Sequence, residues 1–352
     1  MDVSSRRQRM LKHVVEDYVR TAVPVSSDAI VRRYEPTYSR ATIRNELAQL
    51  EELGLISHPH TSAGRVPTDT GYRFYVEHLM ETTVPTPGEQ RTIRHQFHQV
   101  EPDIDRWAHL ASTVLANAVP ATAVVTPPTS ARARVLRVTL VQVHESVVLI
   151  TALLHSGAVR QQVLHVQDGS ERDDLDRIGN QLTRLLDGRT ADEVARLAQG
   201  LSGVERQAAD VIARIVEQAD QQTFDDIYYE GLGHVLSQPE FTYSHKALPL
   251  IQVLERGPVL GQLLSQALDA RSVLVVIGAE HPLEQMRDTS AVLTRYGVVD
   301  EVEGVLGVLG PTRMPYWRAV AMVRFMASLM DLLVAESLIE GRSRNVGESH
   351  AT

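Results

Sequence analysis

The 352-residue chain has no cysteine, which excludes disulfides, Cys-ligated zinc, iron–sulfur clusters and a thiol nucleophile. Lysine is nearly absent as well. Of 35 basic residues 33 are Arg, and since Lys12 precedes His and Lys246 precedes Ala, no Walker A loop exists. Neither H-E-x-x-H nor G-x-S-x-G occurs, so no catalytic apparatus is visible, no cofactor is implied and an enzyme is not expected. Long apolar runs are missing too. The most apolar stretch, residues 320–339, is interrupted by Arg324, Asp331 and Glu336, which suits a helix half facing a core and not a membrane span. Residues 10–19 carry Lys12, His13, Glu16 and Asp17, unlike the apolar heart of a signal peptide, so a cytoplasmic protein without a membrane partner is expected. There is no internal repeat, and the one biased tract is the polar end, of which residues 343–352 are expected to be disordered.

What is present is ordinary globular material, 43% hydrophobic and 22% charged, long enough for two or three domains. The net charge of −9 is unevenly spread. Residues 1–80 hold 11 Lys and Arg against 10 Asp and Glu, whereas residues 81–352 hold 24 against 34. An acidic body repels polyanions, so any nucleic-acid contact belongs to the first eighty residues, which also hold His13, His58, His60 and His78.

Periodicity gives those eighty residues a definite order. Met10, Leu11, Val14, Val15, Tyr18 and Val19 stripe a helix over about 5–19. Ser26 or Ser27 caps a short second helix that stops before Pro36, and Ser39 caps a third over about 40–53, ended by Gly54. Residues 55–57 and 65–67 read as two strands joined by a turn, which completes winged-helix order. Thr68 caps a further helix, and a Pro-rich break follows at 84–88. Beyond a helical stretch over about 89–117, residues 135–143, 147–154 and 158–166 read as an antiparallel meander. Residues 168–222 turn helical and charged, 273–277 and 302–309 return as strands, and 316 to about 340 is a closing helix. The expectation is a multidomain α+β protein.

The third helix carries the chemistry. With Ile43, Leu47 and Leu50 inward, Arg44, Asn45 and Gln49 point outward, and Arg40 and Thr42 lie in the first turn after Ser39. Arg grips guanine or phosphate, Asn and Gln read adenine, and a helix N-terminus offers N–H groups to phosphate, so this face suits a major groove. A plain solvated face would show the same residues, and the neighbouring hairpin tilts the balance. Its tip holds His60, Thr61, Ser62 and Arg65, small, polar and basic as a wing requires. His58 and His60 lack a convincing third ligand for a metal.

The strings Pro24-Val-Ser-Ser27, Ser39-Arg-Ala-Thr-Ile-Arg-Asn45, Leu50-Glu-Glu-Leu-Gly-Leu55, Pro59-His-Thr-Ser-Ala-Gly-Arg-Val-Pro-Thr68 and Gly71-Tyr-Arg-Phe-Tyr-Val76 resemble the HrcA heat-inducible transcription repressors of bacteria. The likeness continues in Tyr229-Glu-Gly-Leu232, Gln238-Pro-Glu-Phe241, Val276-Ile-Gly-Ala-Glu280 and residues 304–316. His234 stands where the resemblance leads one to expect an amide.

The resemblance implies a winged helix-turn-helix over 1–80, connecting helices over 81–127, a GAF-like antiparallel-sheet domain over 128–167 plus 223–342, and an inserted helical dimerisation unit over 168–222. It also implies a homodimer that represses chaperone operons through an inverted repeat in double-stranded DNA, called CIRCE, with activity maintained by the GroEL-type chaperonin. Two other readings stand beside it: a metabolite-sensing repressor with an effector in the GAF-like domain, and a chaperonin client or scaffold without DNA function, which conflicts with the wing chemistry. Gly304, Gly307 and Gly310 in a β-branched run suit tight strand packing better than a phosphate cradle, and Tyr229, Glu230 and Arg313 suit packing or domain docking.

Overall fold

The structure, a computed structural model, describes residues 3–348 except 60–63, 82, 131–132, 145, 156, 167–171, 222–226, 242–243, 256, 271, 283 and 300. It divides into two compact units, one of residues 1–127, 226–297 and 305–352, the other of 128–225 and 298–304.

The first unit opens with α1 (Ser5–Thr21), α2 (Ser27–Arg33) and α3 (Arg40–Glu52). Met10, Leu11, Val14, Val15, Ile30, Ile43, Leu47 and Leu50 are fully buried between them, as their spacing requires. Gly54 ends α3 at φ +71°, and β1 (Ile56–Ser57) pairs antiparallel with β2 (Val66–Pro67). Then comes α4 (Asp69–Phe74), capped by Thr68 and continued by a π-helical turn over Tyr75–Leu79. The helical stretch expected over 89–117 is two helices, α5 (Pro87–Gln99) and α6 (Ile104–Ala118). Pro102 cannot donate to a helical ladder, and Asp103 restarts the helix by accepting the Arg106 N–H.

The chain next forms β3 (Thr122–Val125) and, in the second unit, β4 (Thr129–Ser130). There β5 (Val135–His144), β6 (Val147–Leu154) and β7 (Val159–His165) make the expected antiparallel meander. Three helices follow, α7 (Arg172–Leu186), α8 (Ala191–Ala198) and α9 (Gly203–Gln221). Val138, Leu140, Val148, Ile150 and Ala152 of the strands share one core with Leu175, Ile178, Leu182, Val211, Ile212 and Ile215 of the helices. The meander therefore does not group with 223–342 as expected. The compact unit that holds these helices starts at 128 and is α+β, because the apolar stripes of α7 and α9 are buried against the meander.

Back in the first unit, β8 (Tyr228–Glu230), α10 (Leu232–Leu236), α11 (Ser244–Glu255), α12 (Gly257–Asp269), β9 (Leu274–Ile277), β10 (Thr289–Val298), β11 (Val302–Pro311) and α13 (Tyr316–Glu348) complete the chain. The sheet runs β8-β3-β11-β10-β9, with β3 antiparallel to both β8 and β11, and β10 antiparallel to β9. The first residues of β11 pair with β4. A Cβ on Gly307 would run into the Val292 carbonyl, which explains this glycine of β11 as close strand packing. His234 donates from Nδ1 to the Ala116 carbonyl (3.0 Å), so its ring does what an amide would do. The end expected to be a disordered tail from 343 is helical through Glu348. It contains no proline, and Gly341 and Gly347 each cost a helix only about 1 kcal/mol.

Candidate nucleic-acid interface

Ser39 begins the site. Its Oγ accepts the Thr42 N–H (3.1 Å) and lies 2.9 Å from the Thr42 hydroxyl, which spends both groups on capping α3 and leaves Thr42 half-buried. From that fixed start, the face opposite Ile43, Leu47 and Leu50 presents Arg44 and Asn45 to solvent. Arg40 is 71% exposed and pairs with Asp28 at 3.0 Å. So exposed a pair is worth less than about 1 kcal/mol, and its guanidinium is free to exchange the carboxylate for a phosphate. Gln49 donates to Glu52 (2.8 Å), one turn further on.

The hairpin is fastened beside α3. Arg65 and Val25 exchange backbone hydrogen bonds, both 2.8 Å, and a Cβ on Gly64 would stand 2.5 Å from the Pro24 carbonyl, so only glycine fits the returning strand there. Glu51 at the end of α3 holds two hairpin residues at once, Arg65 Nη2 (3.3 Å) and His58 Nδ1. Arg65, expected as a DNA contact, is thus only 18% exposed in its side chain and acts as a strut between wing and helix. His60, Thr61 and Ser62 lie outside the described residues. Among the described residues no group of three or more His and carboxylates is placed to hold a metal.

A second basic cluster beside α3 was not expected. The Arg6 guanidinium lies over the Tyr38 ring (5.2 Å to the centroid), and Arg9 donates to the Tyr38 hydroxyl (3.5 Å). Arg6 and Arg7 also reach Glu46 of α3, and Arg9 reaches Glu35 (3.9 Å). The signal was there in the three-residue spacing of Arg6 and Arg9, which puts both on one flank of α1. His13 is shifted toward its neutral form. Burial, opposed by Glu35, lowers its pKa, and its ring stacks on Tyr34 at 4.4 Å.

A protein of Chloroflexus aggregans described as heat-inducible transcription repressor HrcA is 42% identical over 99% of both chains. The chain belongs to the HrcA family. The family model for the HrcA protein C terminal domain matches residues 105–320. Two further HrcA relatives bear the same description, one from Roseiflexus at 42% identity over 97% of this chain and 98% of its own, the other from Thermomicrobium roseum at 38% over 96% and 97%. A crystal structure described only as that of a hypothetical protein superposes with a TM-score of 0.56 at 22% identity, covering 95% of this HrcA chain and 99% of the other, which is a likeness of fold. No described helix is long and apolar enough to cross a membrane.

Proposed function

We propose that this HrcA-family chain is a transcription repressor and not an enzyme, a cytoplasmic protein that reads double-stranded DNA with residues 1–80 folded as a winged helix. The reading rests on one observation above all: Arg44 and Asn45 stand exposed on a capped helix whose opposite face is entirely buried, with a hairpin strapped to its end through Glu51. Ser39, Arg40, Thr42 and Gln49 flank the two base readers, His60, Thr61 and Ser62 of the sequence between the two hairpin strands are further DNA contacts, and the Arg6/Arg9/Tyr38 cluster extends the phosphate contacts. The name borne by relatives along nearly the whole chain supports the same reading.

The operator is the CIRCE inverted repeat, bound by a homodimer, since a two-fold repeat is met by a two-fold protein. The body around the six-stranded sheet is GAF-like. The dimer forms through the 128–225 unit, where the apolar stripes of α7 and α9 are spent on their own core and the outer sheet face remains. On that face Val141, Leu149 and Val163 stand opposite one another across three strands, with Leu153 and Val159 beside them, and Val141, Val159 and Val163 are exposed. A GroEL-type chaperonin maintains the active fold.

Mobility-shift titrations of the full chain test this, with duplexes carrying the inverted repeat or a scrambled sequence, between about 50 and 200 mM salt. The repeat should be bound at least about 1,000-fold more tightly than the scramble, with affinity falling steeply as salt rises. Equal binding to both duplexes refutes sequence-specific repression.

A further inference from the structure

Four strings of the sequence, around 71–76, 238–241, 276–280 and 304–316, lie outside the interface on α3, yet in the fold they meet. Asp69, the first residue of α4, accepts the Ala279 N–H at Oδ2 (2.8 Å). Gly278, at φ +50°, makes room for it, because a Cβ there would occupy the place of the Asp69 carboxylate. One turn along, Arg73 donates from Nε to Glu280 (2.7 Å) and from Nη2 both to Glu280 and to the Val275 carbonyl (2.7 Å). Glu280 in turn accepts the Ile277 N–H (2.9 Å). This is a bidentate, charge-assisted grip on a backbone edge, the strongest geometry available to Arg and a carboxylate.

The other face of α4 is fastened just as firmly to the α1–α3 and hairpin core. Thr68 donates its hydroxyl to the Gly54 carbonyl (2.6 Å) and its N–H to the Leu55 carbonyl (3.2 Å). Gly71 lies so close to the Leu55 carbonyl that no Cβ fits. Gly54 and Leu55 follow α3 after Leu53 alone. A second grip holds the end of α1, where Arg313 donates from Nη1 to the Val19 carbonyl (2.7 Å), from Nε to Glu240 (2.5 Å) and from Nη2 to Gln238 (2.8 Å). Tyr316 and Trp317, which follow Arg313 closely, meet Tyr72 and Tyr75 of the α4 segment at ring-centre distances of 5.7 and 6.4 Å.

Two separated grips on one body fix its rotation as well as its position. We propose that α4 is a coupling rod and that Asp69, Arg73 and Arg313 are positioning residues, which set the orientation of α3 on the sheet-bearing body and so the spacing at which two copies engage paired half-sites. The proposal deepens the DNA-binding reading and depends on it. None of the three residues lies on the exposed face of α3, so their effect on DNA runs through α4 and α1 alone. The four strings then have one role in common, and the joint carries the state of the body to α3.

The test uses the full-length protein and three kinds of duplex: the CIRCE repeat, the same half-sites with one to four base pairs added between them, and a single half-site. Arg73→Ala and Arg313→Ala should bind the native repeat at least tenfold more weakly, keep wild-type affinity for the single half-site, and discriminate less among spacings. Combining Arg73→Glu with Glu280→Arg should recover much of the spacing preference that either change alone removes. Asp69→Asn, which keeps the shape and removes the charge, gives the same readout with the least risk to folding. Wild-type affinity and spacing preference in Asp69→Asn and Arg73→Ala overturn the joint while leaving the DNA reading intact. A wild-type protein indifferent to the repeat overturns both.

Discussion

Arg44 and Asn45 are exposed on α3, opposite its buried face, so their removal separates recognition from stability. Arg44→Ala and Asn45→Ala should each weaken operator binding by about 1–3 kcal/mol and relax base preference, with unchanged melting. Titration against single-base variants of the repeat checks this, and undiminished affinity in both removes α3 from the groove. The glycines behave in the opposite way. Gly307→Ala forces a methyl onto the Val292 carbonyl between two buried strands and should cost roughly 3 kcal/mol, whereas Gly54→Ala meets open space and bears only the left-handed backbone, about 1 kcal/mol. Denaturant melts of the two should differ in that order.

His281 supplies a pH dependence whose sign is fixed. It is 2% exposed, and burial, partly offset by the charge of Glu280, lowers its pKa from 6.5 to about 4. Between pH 6.5 and 4 the unfolded chain therefore binds the proton that the folded chain refuses, so stability falls as pH drops through that window, by up to about 3 kcal/mol. His281→Asn should flatten the pH dependence of the melting midpoint there. An unchanged slope assigns the acid sensitivity to other groups.

At the scale of elements, what was legible in the sequence had a local cause. The three N-terminal helices announced themselves by Ser26, Ser39 and Gly54 and by unbroken apolar stripes, and the hairpin by its turn residues. β3 escaped notice because four buried residues before Thr126-Pro127-Pro128 show no alternation. β10 escaped because Thr289 to Thr294 are all buried, so neither face reads as solvent. The meander was visible strand by strand, but which core it joins depends on a contact between distant segments that no window contains. At the candidate site the exposed face of α3 was readable from spacing alone. Arg65 was not, since only the fold brings Glu51 within reach.

The dimer proposal also belongs to this scale. Leu149→Glu together with Val163→Lys places charge at the middle of the outer sheet face of the 128–225 unit, away from the core that α7 and α9 cover. The variant should remain folded, run as a monomer in light scattering, and bind the repeat no better than a single half-site. A folded variant that stays dimeric moves the interface elsewhere.

For the whole molecule, the proposed switch is its own stability. A dimer joined through one unit and reading DNA through the other holds two contacts by linkage, so loss of the body on heating removes both at once and not one by one. Three consequences can be measured together on heating. Operator release should coincide with the loss of far-ultraviolet helical signal, the midpoint should rise with protein concentration as it does for an obligate dimer, and saturating operator should raise it further, by about 2.7 kcal/mol of added stability at 100 times Kd. Chaperonin should act on the heated protein by shielding apolar surface that is buried in the native fold, among which the large cores of both units are the obvious source. Heating the repressor to complete loss of binding, cooling it, and adding purified chaperonin with nucleotide should restore the shifted band, with much less recovery in the absence of chaperonin. If a small metabolite alone restores binding and chaperonin does not, the switch is a ligand site and the metabolite-sensing reading takes its place.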